Sequence, residues 1–429
     1  MKQILTALLT AALLLTGCAG RPSGSETGSY SAGTAEQTVP AGAVCAYDTA
    51  WEPAAPSAGM PAAVSGLVTD DMRRRAVISQ GYCARLAAVM RRAQAGEAVT
   101  AACIGGSITQ GTGASSPAEN YAALFTAWWA EAFPEAAPKL KSVNAGIGAT
   151  GSYIGVHRLS RDLLCEKPDV VVVEFSVNDT NPVRDLESYD SLVRRILEQD
   201  NHPAVILLFM TQENGTSLFE THRKIGDRCD LPMISYQNAV LPEIEAGRLA
   251  WRDISPDNIH PNSAGHAIAA ELLRSFCSSV LAQADGIPAD DLSFSAEPVG
   301  HDRYQSPEIL DAAALTPDAA EGFAPAELNP QFPHNWETQT AGSIRFTVTA
   351  RNIGVLYGRT TDGRSGQYDV LIDGKFAGTL NGNFPNGWGN YAEAAEVFTA
   401  DAPAVHTVEI RMSEASAAEG FRLLGLLTS

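Results

Sequence analysis

The chain has 429 residues, 45% of them hydrophobic, enough for about two folded units with tails. Acidic residues outnumber basic ones 49 to 30, and the formal net charge of −19 argues against nucleic-acid binding and against docking on an anionic membrane surface. Apart from Cys18, the cysteines (Cys45, Cys83, Cys103, Cys165, Cys229 and Cys277) follow neither a zinc-ligand spacing nor a short disulfide framework. Most of them read as small buried hydrophobes, with disulfide pairing left open.

Lys2 opens a positive n-region, and residues 4–15 form an apolar stretch too short to span a bilayer as a stable helix. It runs into Leu15-Thr16-Gly17-Cys18, so residues 1–18 resemble a bacterial lipoprotein signal, cut ahead of Cys18 so that the thiol takes a lipid. An ordinary secretory signal is the alternative. Both imply export, and lipidation implies a protein anchored to a membrane, at the cell surface or in the periplasm, without spanning it. No later segment is long and apolar enough to span. Residues 19–70 read as a flexible tether and lead-in.

The pattern is helical over 71–95 and stops at Gly96. An apolar strand over 99–104 then enters Gly105-Gly106-Ser107-Ile108-Thr109, a turn able to hold a serine hydroxyl clear of a sheet. In the next helix, 120–133, Tyr121, Leu124, Phe125, Trp128 and Trp129 share one apolar face, so the paired tryptophans read as core rather than as a sugar platform. A strand over 140–144 leads through a glycine-rich turn, 146–151, into a helix over 153–164. The β-branched run 169–175 is typical of a parallel strand covered on both faces. A helix over 185–199, a strand over 204–210, a helical stretch over 217–228 and a short strand over 233–236 follow. The loop 253–260 precedes a closing helix over 262–281, with Pro261 as its start signal.

Strands alternating with helices predict βαβ units and a parallel sheet with helices on both faces, whose site lies beyond the carboxyl ends of the strands. Ser107, Gly148 and Asn178 each follow a strand, and Asp257 and His260 lie just before the last helix, all at that end. Residues 284–338, rich in Ala, Pro and Asp, read as a connector. Over 339–429 the period changes to strand alternation, as in Ile344, Phe346 and Val348, and Asp373-Gly374 is a hairpin signal; this predicts a β-sandwich of short strands.

A serine attacks an ester when a base takes its proton, and neutral histidine suits that near pH 7. Asp257 and His260, three residues apart in one loop, let a carboxylate hold one ring nitrogen while the other faces Ser107. Asn178, the turn 146–151 and the N–H of Ser107 can supply donors for a tetrahedral oxyanion.

Four stretches in this order resemble the SGNH (GDSL-type) hydrolase superfamily over residues 97–283. They are 104–111 (Ile-Gly-Gly-Ser-Ile-Thr-Gln-Gly), 144–151 (Asn-Ala-Gly-Ile-Gly-Ala-Thr-Gly), 175–179 (Phe-Ser-Val-Asn-Asp) and 257–262 (Asp-Asn-Ile-His-Pro-Asn). The resemblance implies a three-layer α/β/α hydrolase domain over 71–283 with a flavodoxin-like sheet. It also implies Ser107 as nucleophile, His260 as base, Asp257 as orienting acid, and no metal or cofactor. Ser107, Asn178 and a backbone N–H at Gly148 or Ala149 would form the oxyanion hole. Three positions depart from the family pattern. Gly106 stands where many members have Asp, Ser176 where the third stretch usually has Gly, and Ala149 at the usual oxyanion glycine. Thr109 also excludes the α/β-hydrolase elbow Gly-x-Ser-x-Gly.

Glu174, in an apolar strand near this site, reads as a structural hydrogen-bonding group, and His266 as non-catalytic. His157, His301 and His334 form no metal cluster by spacing. Trp336, Tyr357, Trp388 and Tyr391 read as core or edge packing, with sugar stacking as their alternative. The leading expectation is an exported, lipid-anchored serine esterase that removes short acyl groups, acetyl above all, from carbohydrate. The rivals are a lipid or thioester acylhydrolase and a glycan-binding surface lipoprotein with a decayed site. Oligomeric state is not legible.

Overall fold

A computed structural model describes residues 66–289 and 291–429. The signal stretch with Cys18, and Cys45, lie outside the described residues.

The chain first builds the helices α1 (Asp70–Ala76), α2 (Ala84–Gln94), α3 (Ser107–Gln110), α4 (Tyr121–Ala132), α5 (Ser152–Asp162), α6 (Arg184–Leu197), α7 (Phe219–Arg228), α8 (Tyr236–Glu245), α9 (Trp251–Ile254) and α10 (Ser263–Leu281). Threaded among them are strands β1 (Val77–Ser79), β2 (Val99–Gly105), β3 (Leu140–Gly146), β4 (Val170–Glu174), β5 (Ala204–Phe209) and β6 (Met233–Ser235). Among the described residues these strands form one six-stranded sheet in the order β1-β6-β5-β4-β2-β3. All pairings are parallel except β1 with β6. The connection from β2 runs to one side (β3), and the chain then crosses to the other (β4), so β2 ends at the switch point of the sheet, where such folds open a crevice.

The strand residues Val170 to Val173 are fully buried because helices cover both faces, and each is worth about 1.5–2 kcal/mol of apolar burial. Trp128 and Trp129 of α4 are buried against Phe125 and Phe133, as their helical spacing predicts. The expected single helix over 71–95 is instead α1, β1 and α2. Val77 pairs with Ile234, and Tyr82 donates its N–H to Asp230 O, so the distant strand β6 captures a triplet with two β-branched residues, Val77 and Ile78, that local periodicity would leave helical. Cys103, Cys165, Cys229 and Cys277 form no disulfide among the described residues.

The second sheet is antiparallel throughout and comprises β7 (Glu308–Leu310), β8 (Ala319–Glu321), β9 (Ala324–Ala326), β10 (Asn335–Thr338), β11 (Ser343–Arg359), β12 (Gln367–Ile372), β13 (Lys375–Asn381), β14 (Tyr391–Met412) and β15 (Phe421–Thr428). Two differences from the sequence reading stand out. The strands are not uniformly short: β11 has 17 residues and β14 has 22, and register shifts near Asn352 and Gly354 let them run on through the bend. Residues read as connector supply β7 to β10, three- or four-residue strands held by pairing rather than by their own pattern: β7 and β10 on β15, β8 on β11 and β9 on β10. The two sheets share a core, in which Tyr304, Phe332, Leu356, Leu424 and Leu427 pack with Tyr153, Ile154 and Leu159 of α5. Among the described residues no helix is long and apolar enough to cross a membrane.

Candidate active site

β2 delivers Gly105 and Gly106 to a crowded corner. A Cβ on Gly105 would lie 2.3 Å from Glu174 O, and one on Gly106 would lie 2.1 Å from Asn178 Oδ1. The bare backbone lets the turns after β2 and β4 touch, and Ser107 begins α3 at this contact. As the first residue of a helix, Ser107 has an N–H with no intrahelical acceptor.

Ser107 Oγ lies 2.9 Å from His260 Nε2, and His260 Nδ1 lies 2.8 Å from Asp257 Oδ2. The other carboxylate oxygen of Asp257 accepts the N–H groups of Ile259 and His260, each at 2.7 Å. Partial burial opposes the charge of Asp257, but the bonds from the His260 ring and from these two N–H groups outweigh it and hold the carboxyl below its usual range. The loop is pinned from behind. Ser255 Oγ bonds the carbonyls of Asp257 and His260, and Trp251 donates its indole N–H to Asp257 O at 2.6 Å. Asn262 then caps α10 by accepting the N–H of Gly265.

Asn178 ends the turn after β4, where its N–H and that of Asp179 both reach Phe175 O. Its side-chain Oδ1 is buried against Gly106. In the turn after β3, Gly148 donates its N–H to Gln110 Oε1 at 2.7 Å. The N–H of Ala149 meets no acceptor among the described residues. Ala149 also takes φ +59°, a left-handed conformation that costs a residue with a Cβ about 1 kcal/mol. Sequence reasoning missed Gln110. It sits three residues after Ser107, a spacing that puts it on the same side of one helical turn, and nothing in its composition marks it.

Glu174 is buried, as the sequence suggests, with Oε1 accepting both the N–H and the hydroxyl of Ser176. Burial pushes its pKa up to about 8, so it stays protonated at neutral pH. His266 is buried, bonds Thr112 O and Tyr121 N–H, and stays neutral because burial pulls its pKa down to about 4. Trp336 and Tyr357 are core residues. Trp388 is not: it is 70% exposed and stacks on Tyr391 with Phe384 at its edge. A cleft of about 500 Å³ borders the turn after β3, lined by Gly146, Ile147, Arg161, Asp162, Pro330 and Gln331 among others.

Residues 103–268 match the model of the GDSL-like Lipase/Acylhydrolase family. Two crystal structures of a two-domain esterase (CEX) active on acetylated mannans, one of them co-crystallized with mannopentaose, superpose with a TM-score of 0.76 at 32% identity. They cover 83% of this chain and 97–98% of theirs. No curated protein matches. The match extends through both sheets, so the chain belongs to the GDSL-like (SGNH) lipase/acylhydrolase family and is an ester-bond hydrolase with a C-terminal β-sandwich.

Proposed function

We propose that the protein is a serine esterase that removes acetyl groups from a polysaccharide, with acetylated mannan as the first candidate. The observation that carries the reading is the unbroken hydrogen-bond chain Asp257–His260–Ser107 beside Asn178. The substrate class rests on the 32% identical esterase active on acetylated mannans.

In this mechanism His260 Nε2 takes the proton of Ser107 Oγ as the oxygen attacks the acetyl carbonyl. Asp257 fixes the ring and stabilises the imidazolium. The oxyanion accepts the N–H of Ser107, the side-chain N–H of Asn178 and the N–H of Ala149, which has no competing acceptor. Gly148 would join them only if Gln110 released it. The sugar oxygen leaves with the proton from His260. Water, deprotonated by the same ring, then attacks the acetyl-Ser107 carbonyl, and acetate departs.

Ser107→Ala is expected to cut acetate release by at least about 10³-fold with an unchanged thermal midpoint. Full activity in that variant would overturn the assignment. Acetate released from acetylated mannan, acetylated xylan and a long-chain ester ranks the substrates. Preference for the long chain would favour a lipid acylhydrolase, and glycan binding without any ester cleavage would favour a binding protein. The leader Leu15-Thr16-Gly17-Cys18 supports export and lipid anchoring through Cys18; a Cys18→Ser protein that still partitions with membranes would contradict the anchor.

A further inference from the structure

The strands β3 and β4 flank β2 in the sheet, so the two turns that carry the non-serine oxyanion donors stand on either side of Ser107. A single side chain ties them together. Asp179, next to Asn178, accepts the N–H of Ser152 on Oδ1 at 2.7 Å, and Ser152 is the first residue after the turn that holds Ala149. The approach is close: a Cβ on Gly151 would lie 2.3 Å from that oxygen. The second oxygen, Oδ2, faces His222 Nε2 at 2.9 Å, with both side chains almost wholly buried. His222 comes from α7 and stacks on Tyr189 of α6 at 3.8 Å and 5°. The same turn is held again where Asp185 Oδ2 accepts the N–H groups of Thr180 and Asn181.

Stability alone is a poor explanation for this pair. A buried Asp–His couple is costly compared with apolar residues of the same volume. The couple is also incompletely satisfied, since His222 Nδ1 and Tyr189 Oη are buried without partners. Burial pushes the Asp179 carboxyl above its usual range, and the hydrogen bonds from His222 and Ser152 oppose that shift. What the couple achieves is directional: His222 stops the carboxylate from rotating, and the carboxylate sets the distance between the turns.

We propose that Asp179 and His222 form a second, buried Asp–His dyad that positions the oxyanion donors and touches no substrate. It acts on the reaction through Asn178 and Ala149, and so rests on the serine-esterase reading given above. Loss of the dyad lets the two turns drift relative to Ser107, which weakens transition-state binding and leaves ground-state binding of the ester in place.

The test uses the full chain and p-nitrophenyl acetate. Turnover by the unmutated protein and its loss in Ser107→Ala establish the parent reading separately. His222→Ala is then expected to lower kcat about 100-fold, the scale of a group misplaced by about 1 Å, with KM within about two-fold. His222→Gln, whose amide can still donate to Asp179, is expected to recover kcat to within about ten-fold of the unmutated protein. Asp179→Asn, which keeps the volume, should show the same loss confined to kcat, with an unchanged near-ultraviolet circular dichroism spectrum. Equal losses in His222→Ala and His222→Gln, or kcat falling only with the folded fraction, would overturn the proposal. So would full kcat in Asp179→Asn, whether or not His222→Ala folds.

Discussion

Ala149 and Glu174 sit where ordinary residue preferences are violated, and each violation has a measurable outcome. Ala149 holds a left-handed conformation that would be unremarkable for glycine, and its N–H meets no acceptor among the described residues. Ala149→Gly should therefore raise stability by about 1 kcal/mol and keep esterase activity, read from urea unfolding alongside acetate release. Glu174 carries its proton to about pH 8 in the folded protein, whereas the unfolded chain releases it near 4.5. Between those values the native state binds more protons than the unfolded one, so stability falls as pH rises through the window and levels off above it. Glu174→Gln removes this loss: the midpoint difference between variant and parent should grow in the variant's favour from pH 5 to 8. A difference that does not change with pH would contradict the assignment.

At the scale of elements, the helix α5 is the joint between chemistry and accessory sheet. Its first residue bonds Asp179, while its side chain Tyr153 meets strand β11, where a Cβ on Gly354 would fall 2.1 Å from the tyrosine hydroxyl. Gly354→Val is expected to lower the thermal midpoint by several degrees, about 1–3 kcal/mol of overpacking, and to reduce esterase activity although it lies on the accessory sheet. Unchanged activity in a folded Gly354→Val protein would mean that α5 does not transmit the disturbance. Much of this level was legible in the sequence. The apolar runs that became β2, β4 and β5 and the apolar face of α4 identify themselves by composition and period. The Ser107, Asn178, Asp257 and His260 positions follow from strand ends and spacing. What stayed illegible depends on partners far away in sequence: β1 is a strand because of Ile234, β7 because of Leu426 and Leu427, and Gln110 matters because it meets Gly148. No window of neighbouring residues contains those facts.

For the molecule as a whole, the sequence suggests two units joined by a connector, and the structure gives two sheets, the second with a core of its own and both contributing to one shared apolar cluster. The supposed connector supplies Tyr304 and Phe332 to that interior. Trp388, Tyr391 and Phe384 form an aromatic patch outside it, a residue choice that the alternation pattern alone does not separate from packing. The shared interior bears on inheritance. A hydrolase that ended after α10 would present the outer face of α5, with Tyr153 and Ile154, to water, and a sandwich on its own would present Leu424 and Leu427. Neither half can be traded to another protein as a free cassette without new residues on its seam. The pair has to travel through gene shuffling together, and substitutions on one side of the seam set the terms for those on the other.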